Sequence, residues 1–317
     1  MQPLFQHLFV HPDDQGPLKF ELDPKGNGQL KSEESGHSVS VIDGIPRFVT
    51  DEAFVESFGF QWNSFDVRRQ QEDEDVFQVK TGVALAELCG KLVLDAGCGG
   101  GRYTRVAADH GANVVGVDRS SAVEKARSLT SEHANVQLVQ ADLTRLPFRP
   151  QTFDLVFSIG VLHHSPDCRA SFDSVANMVK PGGTLSVWLY RKNSWPQERI
   201  NDAARWISGR ISRTALLRWS RAGAFIGGIP VVGQAFSKVV NVSTHADRQI
   251  RICDTFDWYS PVHQSHHTPD EVRRWFHEAQ FERIRELPPA KGGRMYRAFF
   301  NWGLIPGSGV NVTGIRR

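Results

Sequence analysis

The chain has 317 residues, about twice a typical domain, and its 40% hydrophobic and 23% charged content supplies a sizeable core and excludes wholesale disorder. Its 37 basic and 35 acidic residues leave a net charge of +2, so no global field selects nucleic acid or a membrane. Four scattered cysteines, Cys89, Cys98, Cys168 and Cys253, exclude a disulfide framework, and without a Cys-x-x-Cys pair they suggest no zinc site.

The N-terminus carries no basic segment followed by an apolar run and a small-residue cleavage site, so no secretory leader is expected. Residues 1–50 read as short strands and turns, rich in Gly, Pro and Asp, and end in Ile42-Asp43-Gly44-Ile45-Pro46-Arg47-Phe48-Val49. Residues 51–90 read as helix and linker, with Phe54, Phe58, Phe60, Trp62 and Phe65 close together.

From 91 to 190 strands and helices alternate. Lys91 to Asp95 is a buried strand followed by a glycine loop, and Tyr103 to His110 is a helix. Asn113 to Val117 is a second strand ending at Asp118; Ser120 or Ser121 caps the next helix, which runs to about Leu129. Val136 to Val139 is a third strand, ending near Asp142, and Phe153 to Ile159 a fourth. Asp167 to Val179 reads as a helix stopped by Pro181-Gly182-Gly183, with Thr184 to Tyr190 the fifth strand. Such alternation predicts an α/β protein with a parallel sheet covered on both faces, binding its ligand at the carboxyl ends of the strands. Asp95, Asp118, Asp142 and Ser158 all stand at such ends.

From Arg191 to Arg251 the chain carries eleven Lys or Arg against three Asp or Glu, together with Trp195, Trp206 and Trp219. This reads as an inserted helical region, either solvated helix faces or a cover over an acidic or amphipathic small molecule; a homodimer contact is the other use of its apolar area. Its most apolar stretch, 222–235, contains Gly227-Gly228, Pro230 and Gln234 and is too short and too broken to span a bilayer. A cytoplasmic protein with no transmembrane segment is expected. Beyond it, Thr268-Pro269-Asp270-Glu271 forms a capping box for a helix running to about Ala279, and Phe281 to Leu287 is a further strand.

The loop Asp95-Ala96-Gly97-Cys98-Gly99-Gly100-Gly101-Arg102 decides the ligand class. Glycines let the backbone turn sharply and let a ligand approach with no Cβ in the way. A dinucleotide site needs a third small residue for close helix packing, and here Arg102 stands in that place. Asp95 would repel a pyrophosphate and attract an ammonium, which favours a zwitterionic nucleoside over NAD.

Val93 to Gly101 resembles the first motif of the class I S-adenosylmethionine-dependent methyltransferases. Val115-Gly116-Val117-Asp118 is similar to that family's ribose-binding acid, Gln140-Ala141-Asp142-Leu143 to its adenine-contacting segment, Phe153 to His164 to its fourth motif, and Lys180-Pro181-Gly182-Gly183 to the turn before the fifth strand. The resemblance implies a doubly wound, mostly parallel seven-stranded Rossmann-like sheet that binds S-adenosylmethionine and releases S-adenosylhomocysteine. It implies cofactor contacts from Asp95, Ala96, Gly97, Cys98, Gly99, Gly101, Arg102, Asp118, Arg119, Ala141, Asp142, Leu143, Ser158, Ile159 and His163, with Trp62, on a helix covering the methionine end, as a further one. Taken alone, Asp142 would read as a turn residue. The implied organisation is a module at 1–50, a covering linker at 51–90, the cofactor core at 91–190, the basic insertion at 191–251 and a completion of the core at 252–317.

Residues 8–50 resemble the zinc-ribbon-like module that precedes some of these enzymes, but His11-Pro12-Asp13-Asp14 and Lys31 to Val39 stand where its cysteine pairs would be. No structural zinc is therefore expected, and a harder ion held by His11, Asp14 and His37 is not the favoured reading. The same holds for a metal on His263, His266 and His267.

In-line transfer of a methyl group needs an aligned nucleophile, and a hydroxyl nucleophile needs a base. His163 and His164 follow the fourth strand and stand as base or as pocket-shaping residues; Asp257, Tyr259 and His263 are further candidates. The expected function is methylation of a small molecule, on a hydroxyl oxygen. The rival readings are a binding subunit that keeps the fold without catalysis and an RNA methyltransferase; the second lacks an Asn-Pro-Pro-Tyr or paired-cysteine signature, and no nucleic-acid partner is expected.

Overall fold

The computed structural model describes residues 3–49, 70–192, 195–237, 239–288 and 309–317. The aromatic run from Phe54 to Phe65, including Trp62, lies outside the described residues.

The N-terminal strands β1 (Leu18–Leu22), β2 (Gly28–Ser32), β3 (Ser38–Ile42) and β4 (Ile45–Pro46) form an antiparallel sheet in that order. The β3–β4 hairpin closes on Asp43-Gly44, with φ of 53° and 78°, the left-handed pair that a two-residue turn requires. A carboxylate ties the turns of this module together. Asp14 accepts hydrogen bonds from the Gly16 amide and the Ser32 hydroxyl, both at 2.8 Å, and lies 3.5 Å from His11 Nδ1. The Ser35 hydroxyl is the largest of the influences that, against burial, lower the Asp14 carboxyl to about 2.

The main sheet has the order β10-β11-β9-β8-β5-β6-β7. Five strands are parallel: β5 (Leu92–Ala96), β6 (Asn113–Asp118), β7 (Val136–Gln140), β8 (Phe153–Ile159) and β9 (Val179–Tyr190). The strands β10 (Phe281–Glu286) and β11 (Gly309–Arg316) complete it antiparallel. One face is packed by the helices α1 (Gln70–Thr81), α2 (Arg102–Asp109) and α3 (Ala122–Leu129), through Phe77, Val106 and Val123. The other is packed by α4 (Cys168–Asn177) and by α9 (Pro269–Glu278), through Phe172, Trp275 and Phe276. The capping box of α9 is present, with Thr268 and Glu271 each bonding the other's backbone amide.

The helix expected to run to Val179 ends at Asn177, and β9 starts at Val179 rather than Thr184. Both differences have one cause. Phe153 pairs with Val179 and Leu155 with Thr184, so Lys180 to Gly183 bulge out of a ladder that continues on either side.

β7 is an edge strand, whose open hydrogen-bonding groups invite aggregation. The N-terminal module covers it. The Phe48 amide donates to the Gln140 carbonyl at 2.7 Å, and Phe5, Phe9 and Leu30 join Val139 and Phe148 in the main core.

Between β9 and α9 the chain forms α5 (Trp195–Ser208), α6 (Arg213–Gly227), α7 (Val232–Ser237) and α8 (Arg248–Tyr259). These bury small cores of their own, Ala224 against Ile250 and Cys253, and Leu216 against Phe256 and Tyr259. Helix α8 runs continuously through residue 251. The Arg205 guanidinium ties α5 to its end, donating to the carbonyls of Trp258 and Pro261, both at 2.9 Å, and to Gln264 at 2.7 Å.

Asp14→Asn is expected to lower the melting temperature at pH 7, and a chelator is expected to leave it unchanged. An acid held below its unfolded value of about 4 contributes above that pH and loses its contribution as pH falls toward about 2. The gap between the two melting curves should therefore close between pH 4 and pH 2; a constant gap would show that the Asp14 charge is not what holds the module.

Candidate functional site

The parallel strands bring five carboxyl ends to one edge of the sheet, where the glycine loop crosses from β5 to α2. The amides of Gly97 and Cys98 both donate to the Val117 carbonyl, at 2.7 and 2.8 Å, which pulls the loop over the end of β6. Gly97 has φ of 93°, and a Cβ there would overlap Val161. The close helix approach denied to Arg102 is made by Gly101, where a Cβ would stand 2.9 Å from Ala126 of α3. Arg102 instead pairs with the buried Asp73 on α1.

Asp118 ends β6 with its carboxylate fixed. It accepts from the Gly99 amide at 2.9 Å and from the Ser120 amide and hydroxyl at 2.9 and 2.7 Å. Asp142 accepts from the Thr144 amide and hydroxyl, and its other oxygen pairs with Arg119. Ala141 and Leu143 flank it, buried. Cys98 is buried under the loop, and Ser158 donates to the Ala96 carbonyl at 2.7 Å, which leaves Ile159 half-buried at the end of β8. Asp95 is buried with one oxygen taking the Thr104 hydroxyl at 2.6 Å. Burial raises its carboxyl to about 7, against the Thr104 bond, with Asp118 adding to the rise.

Beyond the loop lies an aromatic chamber. His163 is fully buried, its ring 3.9 Å from that of Tyr190 and 4.1 Å from that of His164. Neither of its ring nitrogens has a hydrogen-bond partner among the described residues. Burial, reinforced by His164, holds it neutral, well below the usual imidazole range. His164 donates from Nδ1 to the His263 carbonyl at 3.2 Å, and burial takes it down to about 3. The Tyr190 hydroxyl donates to Asp257 at 2.6 Å, which brings α8 of the insertion onto the end of β9.

Of the expected catalytic residues, His163, His164 and Asp257 come together. His263 contributes its backbone carbonyl. Tyr259 does not join them: two residues beyond Asp257 on the same helix, it donates to Asn201 at 3.1 Å and stacks on Trp219 inside the insertion. Three neighbours of the chamber were missed. Trp188 and Tyr190 sit at the end of the fifth strand, where the strand-end rule could have found them. Lys80, on the last turn of α1, places Nζ 3.9 Å from the Trp188 ring centroid. Burial and then Arg102 lower its ammonium to about 7, while Asp254 acts in the opposite sense. No sequence signal separates Lys80 from an ordinary solvated helix lysine.

Two of the three histidines after α8 are engaged with a carboxylate, His266 with Glu198 at 2.6 Å and His267 with Glu271 at 3.3 Å. Among the described residues, ligand atoms of His11, Asp13 and His37 lie within 4.8 Å of one another; Asp13 stands there rather than Asp14.

The methyltransferase-domain family matches residues 94–187. A ubiquinone biosynthesis O-methyltransferase of Coxiella burnetii is 38% identical over 108 residues, 33% of this chain and 46% of that protein. The chain carries a class I S-adenosylmethionine-dependent methyltransferase domain. The corresponding protein of Idiomarina loihiensis is 31% identical over 140 residues, 43% of this chain and 54% of its own length, so the chain spans about half of the curated relatives it matches. A solved S-adenosylmethionine-dependent methyltransferase from Mesorhizobium loti, 20% identical, covers 73% of this chain and 93% of its own at a TM-score of 0.44.

S-adenosylmethionine is the cofactor of this domain, and the residues present fit it. The glycine loop turns through left-handed backbone at Gly97, Gly99 and Gly101, and carboxylates held by hydrogen bonds end β5 and β6, a donor set suited to a cationic nucleoside. Asp118→Ala is expected to weaken S-adenosylhomocysteine binding by one to two orders of magnitude, since a charge-assisted hydrogen bond is worth roughly 1.5–3 kcal/mol. Unchanged affinity by calorimetry would remove Asp118 from the site.

Proposed function

We propose that this methyltransferase methylates a hydroxyl group of a small aromatic acceptor in the chamber roofed by the insertion. The observation that carries the reading is His163: a buried, neutral imidazole just beyond β8 whose two nitrogens have no partner among the described residues. A buried polar group without a partner is costly, so such a site favours a ligand that hydrogen-bonds to it. Tyr190, Trp188 and His164 around it suit a flat ring. The curated relatives named as O-methyltransferases support an oxygen acceptor.

The loop from Asp95 to Gly101, Asp118 and the Arg119–Asp142 pair would hold the cofactor, which supplies an electrophilic methyl group on a sulfonium. The chain's own residues then have three tasks. His163 accepts the proton of the acceptor hydroxyl. Tyr190 and Trp188 orient the ring and exclude water. Lys80, cationic below about 7, supplies positive charge near the developing oxygen anion. Asp95 attracts the cofactor's ammonium.

His163→Ala is expected to lower kcat with catechol-type phenols by roughly 10²–10⁴-fold, the usual contribution of a general base, with S-adenosylhomocysteine affinity within a few-fold of the parent. Phenol-dependent formation of S-adenosylhomocysteine, followed by mass spectrometry, is the measurement. Thermal stabilisation by S-adenosylhomocysteine with no turnover on any hydroxylated acceptor would favour a binding subunit.

Asp95 makes cofactor affinity depend on pH. Its carboxyl, at about 7 in the free protein, is favoured as the anion once a cation lies beside it. Affinity should be level above pH 7 and fall by up to about tenfold per unit below it, and Asp95→Asn should flatten that profile. A profile that stays level to pH 5 in the parent protein would refute the assignment.

A further inference from the structure

The insertion has two sides. Its inner side packs on α8 and roofs the chamber, through Leu216, Ala224 and the Arg205 clamp. Its exposed residues are unusually apolar. Ten of the thirteen exposed large hydrophobic residues among the described residues fall between 191 and 251. Trp206 is 63% exposed on α5, Phe225 73% on α6, and Val231 76% in the turn that leads to α7, with Ile207, Ile229 and Val232 beside them in sequence. Scattered exposed apolar residues need no explanation, but this concentration in one segment does.

The same segment is basic. Arg210 lies over the Trp206 ring, 3.8 Å from its centroid, and Arg218 and Arg221 are exposed on α6. Within 191–251 acidic residues number three against eleven basic ones. Among the described residues no helix is long and apolar enough to cross a membrane. Short amphipathic helices that present Trp, Phe and aliphatic side chains interleaved with Arg suit the interface of an anionic bilayer: the apolar side chains enter the headgroup boundary and the guanidinium groups meet lipid phosphate.

We propose that the outer face of α5, α6 and the α6–α7 turn docks this protein on an anionic lipid surface. The charge selects this occupant over a second copy of the chain. In a twofold dimer the patch would meet itself, and the exposed guanidinium groups of Arg210, Arg218 and Arg221 would face their own images. A bilayer bearing phosphate headgroups neutralises that charge and buries the apolar tips in one step. Docking of this kind sets the roof of the chamber against the phase in which an amphipathic acceptor is concentrated. The surface itself does not depend on what the chamber methylates.

The test uses the full chain with vesicles of phosphatidylcholine alone or mixed with phosphatidylglycerol, followed by flotation. The intact protein should float with the mixed vesicles, remain unbound with phosphatidylcholine alone, and be released by high salt, which screens the phosphate contacts. Phe225→Asp with Val231→Asp should weaken partitioning at least about tenfold, and so should Arg218→Glu with Arg221→Glu. Trp206→Ser, on a different helix, provides an independent variant should either pair fail to fold. Melting temperature and S-adenosylhomocysteine affinity should stay at parental values in each. Absence of binding to the mixed vesicles at low salt, or parental binding by all the variants, would overturn the proposal. A dimer in sedimentation that Phe225→Asp dissociates would assign the face to a second copy and would also overturn it.

Discussion

The Tyr190 hydroxyl donating to Asp257 joins the two parts on which the chamber depends. Tyr190 ends the last parallel strand of the core, and Asp257 lies near the end of the inserted helices. The bond is charge-assisted and half-buried, the kind that fixes orientation as well as contributing stability. On the core side it holds the phenol ring against His163. On the insertion side it sets the register of α8, and Arg205 then fastens α5 to the same helix end. The inserted helices are therefore joined to the end of β9 by a specific polar bond. The small separate cores of the insertion agree with this arrangement.

The electrostatics of the cofactor side follow from burial. Asp95 and Asp118 end adjacent strands, and each raises the cost of charging the other. The protein spends hydrogen-bond donors unequally on them. Asp118 receives two amides and a hydroxyl, whereas Asp95, fully buried with Thr104 as its donor, moves toward neutrality. On the acceptor side burial acts on bases instead. It keeps His163 and His164 uncharged and lowers Lys80 into the working range. Acids that discharge and bases that discharge meet along one rim, which keeps net charge low in a site that receives a cationic cofactor.

In the front module a carboxylate ties two turns together. Here the first turn carries Asp14, and the second offers the hydroxyls of Ser32 and Ser35. The module gains further support from what it covers, since its Phe5, Phe9 and Leu30 are buried with the main sheet rather than in a core of their own. A small antiparallel sheet of this size needs such help, because it cannot bury enough apolar surface alone.

The glycine loop, the acids at strand ends, the strand–helix alternation and the capping box of α9 were legible in the sequence because each is local. Backbone freedom, strand length and a cap are set by residues within a few positions of one another. The mostly parallel seven-stranded sheet followed from the same alternation and the resemblance it supports, and even the misplaced start of β9 came from reading a bulge as a turn. The chamber was legible only in part. Tyr259 and Asp257 are two residues apart, and only the packing of α8 turns one into the insertion and the other to Tyr190. His263 acts through its carbonyl, which carries no signature of residue type. Lys80 reads as a surface lysine until α1 packs on the sheet and lays it on Trp188. The sequence by itself determined the fold class and the cofactor-binding motifs, because these rest on short-range backbone chemistry. The tertiary structure alone decided which distant side chains share the chamber and which helix faces stay uncovered, because burial and proximity between segments a hundred residues apart are properties of packing.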